Sequence, residues 1–311
     1  MRTEQSAIVR EISPDVSPAM VSQMWQLFAP DHEKREPAQT RVLRDLPYGP
    51  NIRQRMDVHI SSQHRGKRPV LMFFPGGGFV AGNRQVSGTP YYDHIGRWAT
   101  EHDMVGVTVD YRLAPAHTWP DGAADVAAAV DCVRATIAEH GGDPNLIMIA
   151  AHSAGAAHVA GYLAGHGGAV SSAIKGAALF SGLYDLDGAA TDPLMSQYFG
   201  TDPAAHLERS PREGLAATKV PLLLGYSEFD PPLFHDQLAR FLGAHHARHG
   251  KLPLTACAIG HNHISEIVSV GLSDDPLGTA LATFVAIAIQ AMEPVSHAGN
   301  HIEISSDIGN D

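Results

Sequence analysis

Six short apolar runs, each bounded by glycine, proline or polar residues, limit what this chain can fold into. They are 69–74, 104–110, 146–149, 174–180, 220–225 and 254–259. Short apolar runs without alternation fit strands that are covered on both faces. Between them lie stretches suited to helices: Tyr91–His102, Gly122–His140, Ala156–Ala164 and Leu233–His249, with Asp275–Met292 after the last run. Strand and helix alternating in this way predict an α/β fold with a mostly parallel sheet. Upstream, Arg41–Ile60 holds two strand-like pieces joined by a turn at Tyr48-Gly49-Pro50-Asn51. The second piece, Arg55–Ile60, alternates as a half-buried edge strand does.

The chain divides into three parts. Residues 1–40 form a helical segment in which Pro18–Phe28, with Ser17 as N-cap, has an apolar face of Met20, Val21, Met24, Trp25 and Phe28. That face either packs on the domain or covers the active site as a lid. Residues 41–292 form the α/β domain. Its polar insertion at 184–215 is too long for a plain connection and suits a binding loop. Residues 293–311 are a polar tail.

A chain of 311 residues with 44% hydrophobic content can bury a large core. Its net charge of -11 argues against nucleic acid and against an anionic membrane surface. The first residues lack the apolar region of a signal peptide. The longest apolar run near the end, Leu281–Met292, is too short to span a bilayer. Two cysteines make no disulfide framework, so a cytoplasmic location is expected. Cys132 and Cys257 read as small core residues.

In parallel α/β sheets, functional groups collect at the carboxyl ends of the strands. One such end carries Ala150-Ala151-His152-Ser153-Ala154-Gly155-Ala156. A serine between a buried strand and a helix, with glycine two residues later, suits a nucleophile elbow. Another end carries Pro75-Gly76-Gly77-Gly78-Phe79. No Lys-Ser/Thr follows, which argues against a phosphate loop. Two more ends offer Asp230 and His263. Serine, acid and histidine then occur in the chain order of a hydrolase triad. In that reading Ser153 attacks an acyl carbonyl, His263 carries the proton, and Asp230 fixes the imidazole. The N–H groups of Gly77, Gly78 and Ala154 are the candidate oxyanion donors.

Each assignment has a rival. Glu228 competes with Asp230, and His261 with His263. His261 and His263 together would form a His-x-His metal pair. His152 and His158 read as structural neighbours or pocket wall. His245, His246 and His249 read as a solvated helix face. Trp25, Phe28, Phe79 and Trp119 are candidate pocket aromatics.

Four stretches carry a family resemblance: Pro75-Gly76-Gly77-Gly78-Phe79, Asp110-Tyr111-Arg112-Leu113-Ala114-Pro115, His152-Ser153-Ala154-Gly155-Ala156 and Glu228-Phe229-Asp230-Pro231. Together they resemble the carboxylesterases of the hormone-sensitive-lipase-like group and the allied group around kynurenine formamidase. The resemblance implies an α/β-hydrolase fold: a central sheet of about eight strands, flanked by helices, with a small cap from the N-terminal segment and the insertion. It implies a serine esterase acting on small to medium esters through an acyl-enzyme, without metal or organic cofactor. It carries Ser153, Asp230 and His263 over as the triad, and Gly77, Gly78 and Ala154 as the oxyanion hole. It also allows a homodimer. Three positions depart from the pattern. Pro75 stands where a bracing histidine is usual, Ala151 replaces the first elbow glycine, and Ala116 stands where glutamate often follows. His152 matches the formamidase-like branch, so an amidase or arylformamidase with the same triad is the alternative activity. A silent ligand-binding relative is the third.

Overall fold

The apolar runs pair into a single eight-stranded sheet. A computed structural model describes residues 3–12, 16–36, 39–63, 66–187 and 192–291; the 293–311 tail lies outside these. In chain order the elements are α1 (Thr3–Glu11), α2 (Pro18–Glu33), β1 (Thr40–Pro47), β2 (Arg55–Ser61), β3 (Arg68–Phe74), α3 (Asp93–Glu101), β4 (Val105–Val109) and α4 (Asp121–Thr136). They continue with β5 (Gly142–His152), α5 (Ala154–Leu163), β6 (Ile174–Phe180), α6 (Pro193–Phe199), α7 (Pro203–Arg209) and α8 (Arg212–Ala217). The last are β7 (Leu222–Phe229), α9 (Pro232–His249), β8 (Leu254–Asn262), α10 (Ser265–Val268) and α11 (Pro276–Gln290). The strand order is β1-β2-β4-β3-β5-β6-β7-β8. Pairs from β4 onward in that order are parallel, while β1–β2 and β2–β4 are antiparallel.

The pleat sends alternate residues to opposite faces. Val70, Met72 and Phe74 of β3 join a core with α4, α5 and α9. Leu71 and Phe73 join a second core with α2, α3 and α11. Continuous apolar runs are what a sheet covered on both faces requires.

One strand assignment is corrected. β2 is not an edge: it lies between β1 and β4, and Met56–His59 are all buried. The polar Asp57 and His59 imitate the outward positions of a half-buried strand. Instead, Asp57 accepts from Arg44 and Arg84, and His59 lies under Gly96 of α3. A Cβ at Gly96 would sit 2.3 Å from the His59 ring.

Other boundaries move. β7 runs on to Phe229 and β8 to Asn262, because Ser227, Glu228, His261 and Asn262 continue the strands despite their polarity. Asp230 thus becomes the first residue beyond β7. α5 starts at Ala154, directly after the serine. α1 lies within the 1–40 segment read as helical, of which the sequence reading bounded only Pro18–Phe28. Cys132 and Cys257 are half-buried rather than fully enclosed, and Cys132 packs against the first core.

Ser17 caps α2, its Oγ accepting from Met20 N–H at 3.2 Å. Met20, Met24, Phe28 and His32 of α2 are buried. The helix packs against α10, and α1 packs against β8. The 184–215 insertion contributes α6–α8. Met195, Tyr198 and Phe199 of α6 form a third apolar cluster with Phe79, Ala154 and Phe234, over the carboxyl ends of the strands.

Candidate active site

The position of the candidate nucleophile is built from local backbone. Ser153 sits between β5 and α5 with φ 54° and ψ -122°, a conformation L-residues rarely hold. Its N–H donates to Phe180 O at 2.9 Å, which ties the turn to β6. Gly155 lies so close to the end of β3 that a Cβ would meet Phe74 O at 2.3 Å and Pro75 O at 2.5 Å. Only glycine fits there. Ala151 lies fully buried in the core, and its methyl packs within that cluster.

The glycine loop crosses beside this turn. A Cβ on Gly76 would lie 3.0 Å from Ser153 Cβ. Gly77 and Gly78 have φ 148° and 59°, and a Cβ on Gly77 would strike Ala81 O at 2.2 Å. Among the described residues, the N–H groups of Gly77, Gly78 and Ala154 find no hydrogen-bond acceptor. Pro75, in the place of the usual histidine, is held through its carbonyl: Tyr111 Oη–H donates to Pro75 O at 2.6 Å. Tyr111 belongs to the Asp110–Pro115 string, whose other members are anchored too. Arg84 N–H donates to Asp110 at 2.5 Å, and Arg112 Nε–H donates to Asp125 at 2.8 Å. The string is therefore a brace for the loop, a role its sequence does not announce.

The candidate acid and base arrive from two other strands. Ser153 Oγ lies 3.0 Å from His263 Nε2, and His263 Nδ1 lies 2.8 Å from Asp230 Oδ1. Asp230 Oδ2 also accepts from Ser181 Oγ–H at 2.6 Å and Ser227 N–H at 2.9 Å. Burial pushes the Asp230 carboxyl upward, but the bonds and charge of His263, with Ser181 and Ser227, outweigh it and leave the group below the usual range. The Phe234 ring packs 4.1 Å from the His263 ring.

The rivals point elsewhere. Glu228 is exposed and accepts from Gly260 N–H at 2.8 Å, joining β7 to β8. His261 Nδ1 meets Ser265 Oγ at 3.2 Å and its ring stacks on Phe28. Burial lowers its pKa to about 4. His261 and His263 thus face different partners, and the His-x-His pair does not converge. Among the described residues, His152, His263 and Glu266 are a trio close enough for a metal. Three of their four ring nitrogens are already committed: His152 Nε2 meets His263 O at 2.8 Å, and His263 meets Ser153 and Asp230, while His152 Nδ1 is turned toward Gly76 of the glycine loop. That donor set does not fit an ion.

His152 is fully buried, and burial, followed by the neighbouring His263, lowers its pKa to about 3. His158 lies between Tyr111, Phe79 and Tyr198, and burial lowers it to about 3 as well. Of the candidate pocket aromatics, Phe79 stacks on Tyr198 at 4.9 Å beside the glycine loop. Trp25 packs on Tyr91 and Phe28 on His261, behind the His263 loop. Trp119 packs on His166. Sequence reasoning missed Ser181, Ser227, Tyr111 and Glu266 at this site. Only Glu266, three residues after His263, left a trace that spacing could have revealed.

Residues 71–224 match a family model described as alpha/beta hydrolase fold. The chain is 31% identical over 166 residues to the probable carboxylic ester hydrolase LipM of Mycobacterium tuberculosis, covering 48% of this chain and 36% of LipM. Esterase LipQ of the same organism is 30% identical over 217 residues, covering 66% of this chain and 49% of LipQ. An isoprenylcysteine alpha-carbonyl methylesterase of Arabidopsis thaliana is 32% identical over 120 residues, 39% of this chain and 27% of the plant protein. The chain thus spans half or less of the length of these curated relatives. Among solved structures, esterase B of Lactobacillus rhamnosis, inhibited by a tributyrin phosphonate, superposes with a TM-score of 0.70 at 14% identity, over 94% of this chain and 97% of that one. The metagenomic carboxylesterase EstE1 gives 0.64 at 21% identity, over 91% and 99%. Sheet order, family model and these superpositions agree on the fold. No helix among the described residues is long and apolar enough to cross a membrane.

Proposed function

On the α/β-hydrolase fold that this chain has, we propose a serine hydrolase that cleaves carboxylic esters of small to medium size through an acyl-enzyme. The observation that carries this reading is the row Ser153 Oγ–His263–Asp230, with links of 3.0 and 2.8 Å, on a turn with positive φ. Ser153 attacks the acyl carbonyl while His263 Nε2 takes its proton. The carbonyl oxygen becomes an oxyanion, received by the N–H groups of Gly77, Gly78 and Ala154. One such donor is worth about 3 kcal/mol of barrier. His263 then returns the proton to the departing alcohol. Water, activated by His263, releases the acid from Ser153. Asp230 holds the tautomer and supports the imidazolium in both halves. The resident groups suffice for this chemistry without a metal or organic cofactor. The named esterases and methylesterases among the relatives support the same substrate class.

A second reading, amidase or arylformamidase, is favoured by His152 directly before the serine. It uses the same residues with an amine as leaving group. Turnover of matched ester and anilide substrates separates the two. We read the chain as cytoplasmic. We also infer that the fold allows a homodimer; light scattering tests the mass.

The deciding experiment is hydrolysis of p-nitrophenyl acetate, butyrate and octanoate by the wild type and Ser153→Ala. The variant should lose at least about a thousandfold in kcat, and the chain-length profile should fall off at octanoate. Equal rates in both proteins sink the assignment, and a wild type that neither turns over nor takes up a phosphonate on Ser153 leaves a silent binder.

A further inference from the structure

Behind Ser153, His263 and Asp230 lies a carboxyl that the reaction above does not use. Glu266 of α10 is completely buried. Neither of its oxygens has a hydrogen-bond partner among the described residues, and the Ser227 hydroxyl beside it has none either. Its Oε1 lies 3.5 Å from His152 Nε2, the nitrogen that meets His263 O at 2.8 Å. The titratable groups that face it are Asp230 beyond β7, His152 at the end of β5 and His263 on its own loop, with Tyr184 and Cys257 farther off. None of them is a permanent cation.

A carboxylate buried without a partner, next to a second carboxylate, is costly to ionise. Burial and the Asp230 charge push Glu266 far above the ordinary range; the nearby Ser181 and Ser227 hydroxyls ease this without reaching hydrogen-bonding geometry. Asp230 is held in the opposite direction by His263, Ser181 and Ser227. The two neighbouring carboxyls are thus driven apart, one neutral and one charged.

We propose that Glu266 is a positioning residue: as an uncharged acid it fills the space behind Asp230 and His152. Asp230 is then the one negative charge facing His263, and the His152 ring holds the His263 main chain at its distance from Ser153. This role rests on the serine-hydrolase reading. Glu266 touches no substrate and acts through its neighbours.

Two readouts test it. Charge state comes from urea unfolding of the wild type and Glu266→Gln across about pH 5 to 8.5. An acid that keeps its proton to higher pH in the folded form than in the unfolded chain loses stability as pH rises through that interval. Glu266→Gln lacks this loss, so its folding constant should gain on the wild type by up to about tenfold per pH unit. Parallel curves overturn the uncharged acid. Function comes from kinetics with p-nitrophenyl acetate. Glu266→Ala should lower kcat by about ten- to a hundredfold with KM little changed. Glu266→Gln should restore kcat to within about threefold and extend the alkaline plateau of kcat/KM. An alanine variant as fast as the wild type, or a glutamine variant as slow as alanine, overturns the role. Should the alanine variant not fold, an alkaline limb of Glu266→Gln that coincides with the wild type overturns it as well. A wild type without turnover defeats the hydrolase reading and this role with it. A wild type that turns over while Glu266→Ala matches it defeats the role alone.

Discussion

The two halves of the candidate site are made by different means. The serine half is local. Ser153, Gly155 and the glycine loop are shaped by backbone angles and by approaches too close for a Cβ. The histidine half is remote. His263 follows β8, its acid follows β7, its carbonyl is met by His152 of β5, and its loop rests on α2 from the start of the chain. A local device leaves a motif, whereas a remote one leaves scattered residues. The first half should therefore fail by distortion at single positions, and the second by loss of packing or of a distant partner.

The largest expected effect tests whether the remote half carries chemistry. Asp230→Asn should keep the fold and lower kcat by about ten-thousandfold; steady-state kinetics beside a circular dichroism spectrum checks both. Phe28→Ala removes a buried ring that stacks on His261 from another part of the chain. It should cost about 4 kcal/mol in urea unfolding, and a smaller loss means that α2 contributes little to the His263 loop. Gly155→Ala drives a methyl into Phe74 O. It should cost about 3 kcal/mol and lower kcat with it, whereas an unharmed variant breaks the view of the elbow as backbone-determined.

Acid brings out the next effect. His158 in the folded protein stays neutral down to about pH 3, while an unfolded histidine protonates near its usual 6.5. The unfolded chain therefore binds more protons as pH falls from 6.5 toward 3, and stability is lost over that interval. His158→Phe should remove about 2 kcal/mol of the loss between pH 7 and 5, read from urea midpoints at the two values. The smallest effect is that of Tyr111→Phe, which leaves Pro75 O without its donor. About 1 kcal/mol of stability, with a modest fall in kcat at unchanged KM, is expected. A change in KM instead places Tyr111 against substrate and blurs the line between the halves.

How much could be read from the amino-acid order follows the same division. The alternation of apolar runs and helical stretches announced the parallel sheet, and the elbow and glycine loop stood out because a few adjacent residues specify each. Asp230 and His263 were reachable from chain order at strand ends, and they come within hydrogen-bonding distance of one another and of Ser153. The edge assignment of β2 failed because Asp57 and His59 are buried against Arg44, Arg84 and Gly96, partners that a periodicity cannot see. The polar ends of β7 and β8 were cut short for the same reason. Tyr111 as a brace and Glu266 as a buried acid depend on partners far off in the chain, Pro75 for the one and Asp230 and His152 for the other; the short spacing of Glu266 from His263 marks its nearness but not its burial.

The seating of α2 on α10 has a consequence for the order of events during synthesis. Met20, Met24 and Phe28 leave the ribosome early, but their partners around Asn262–Val268 emerge some 240 residues later. For that whole interval the part of the helix that seats on α10 lacks its cover, even after Tyr91 has reached Trp25, and such a surface invites chaperones or self-association. The unfinished chain also lacks the candidate base. No nascent fragment that stops short of residue 263 can carry out the proposed chemistry, so the candidate site is completed only once the His263 loop and α10 have emerged and seated on α2.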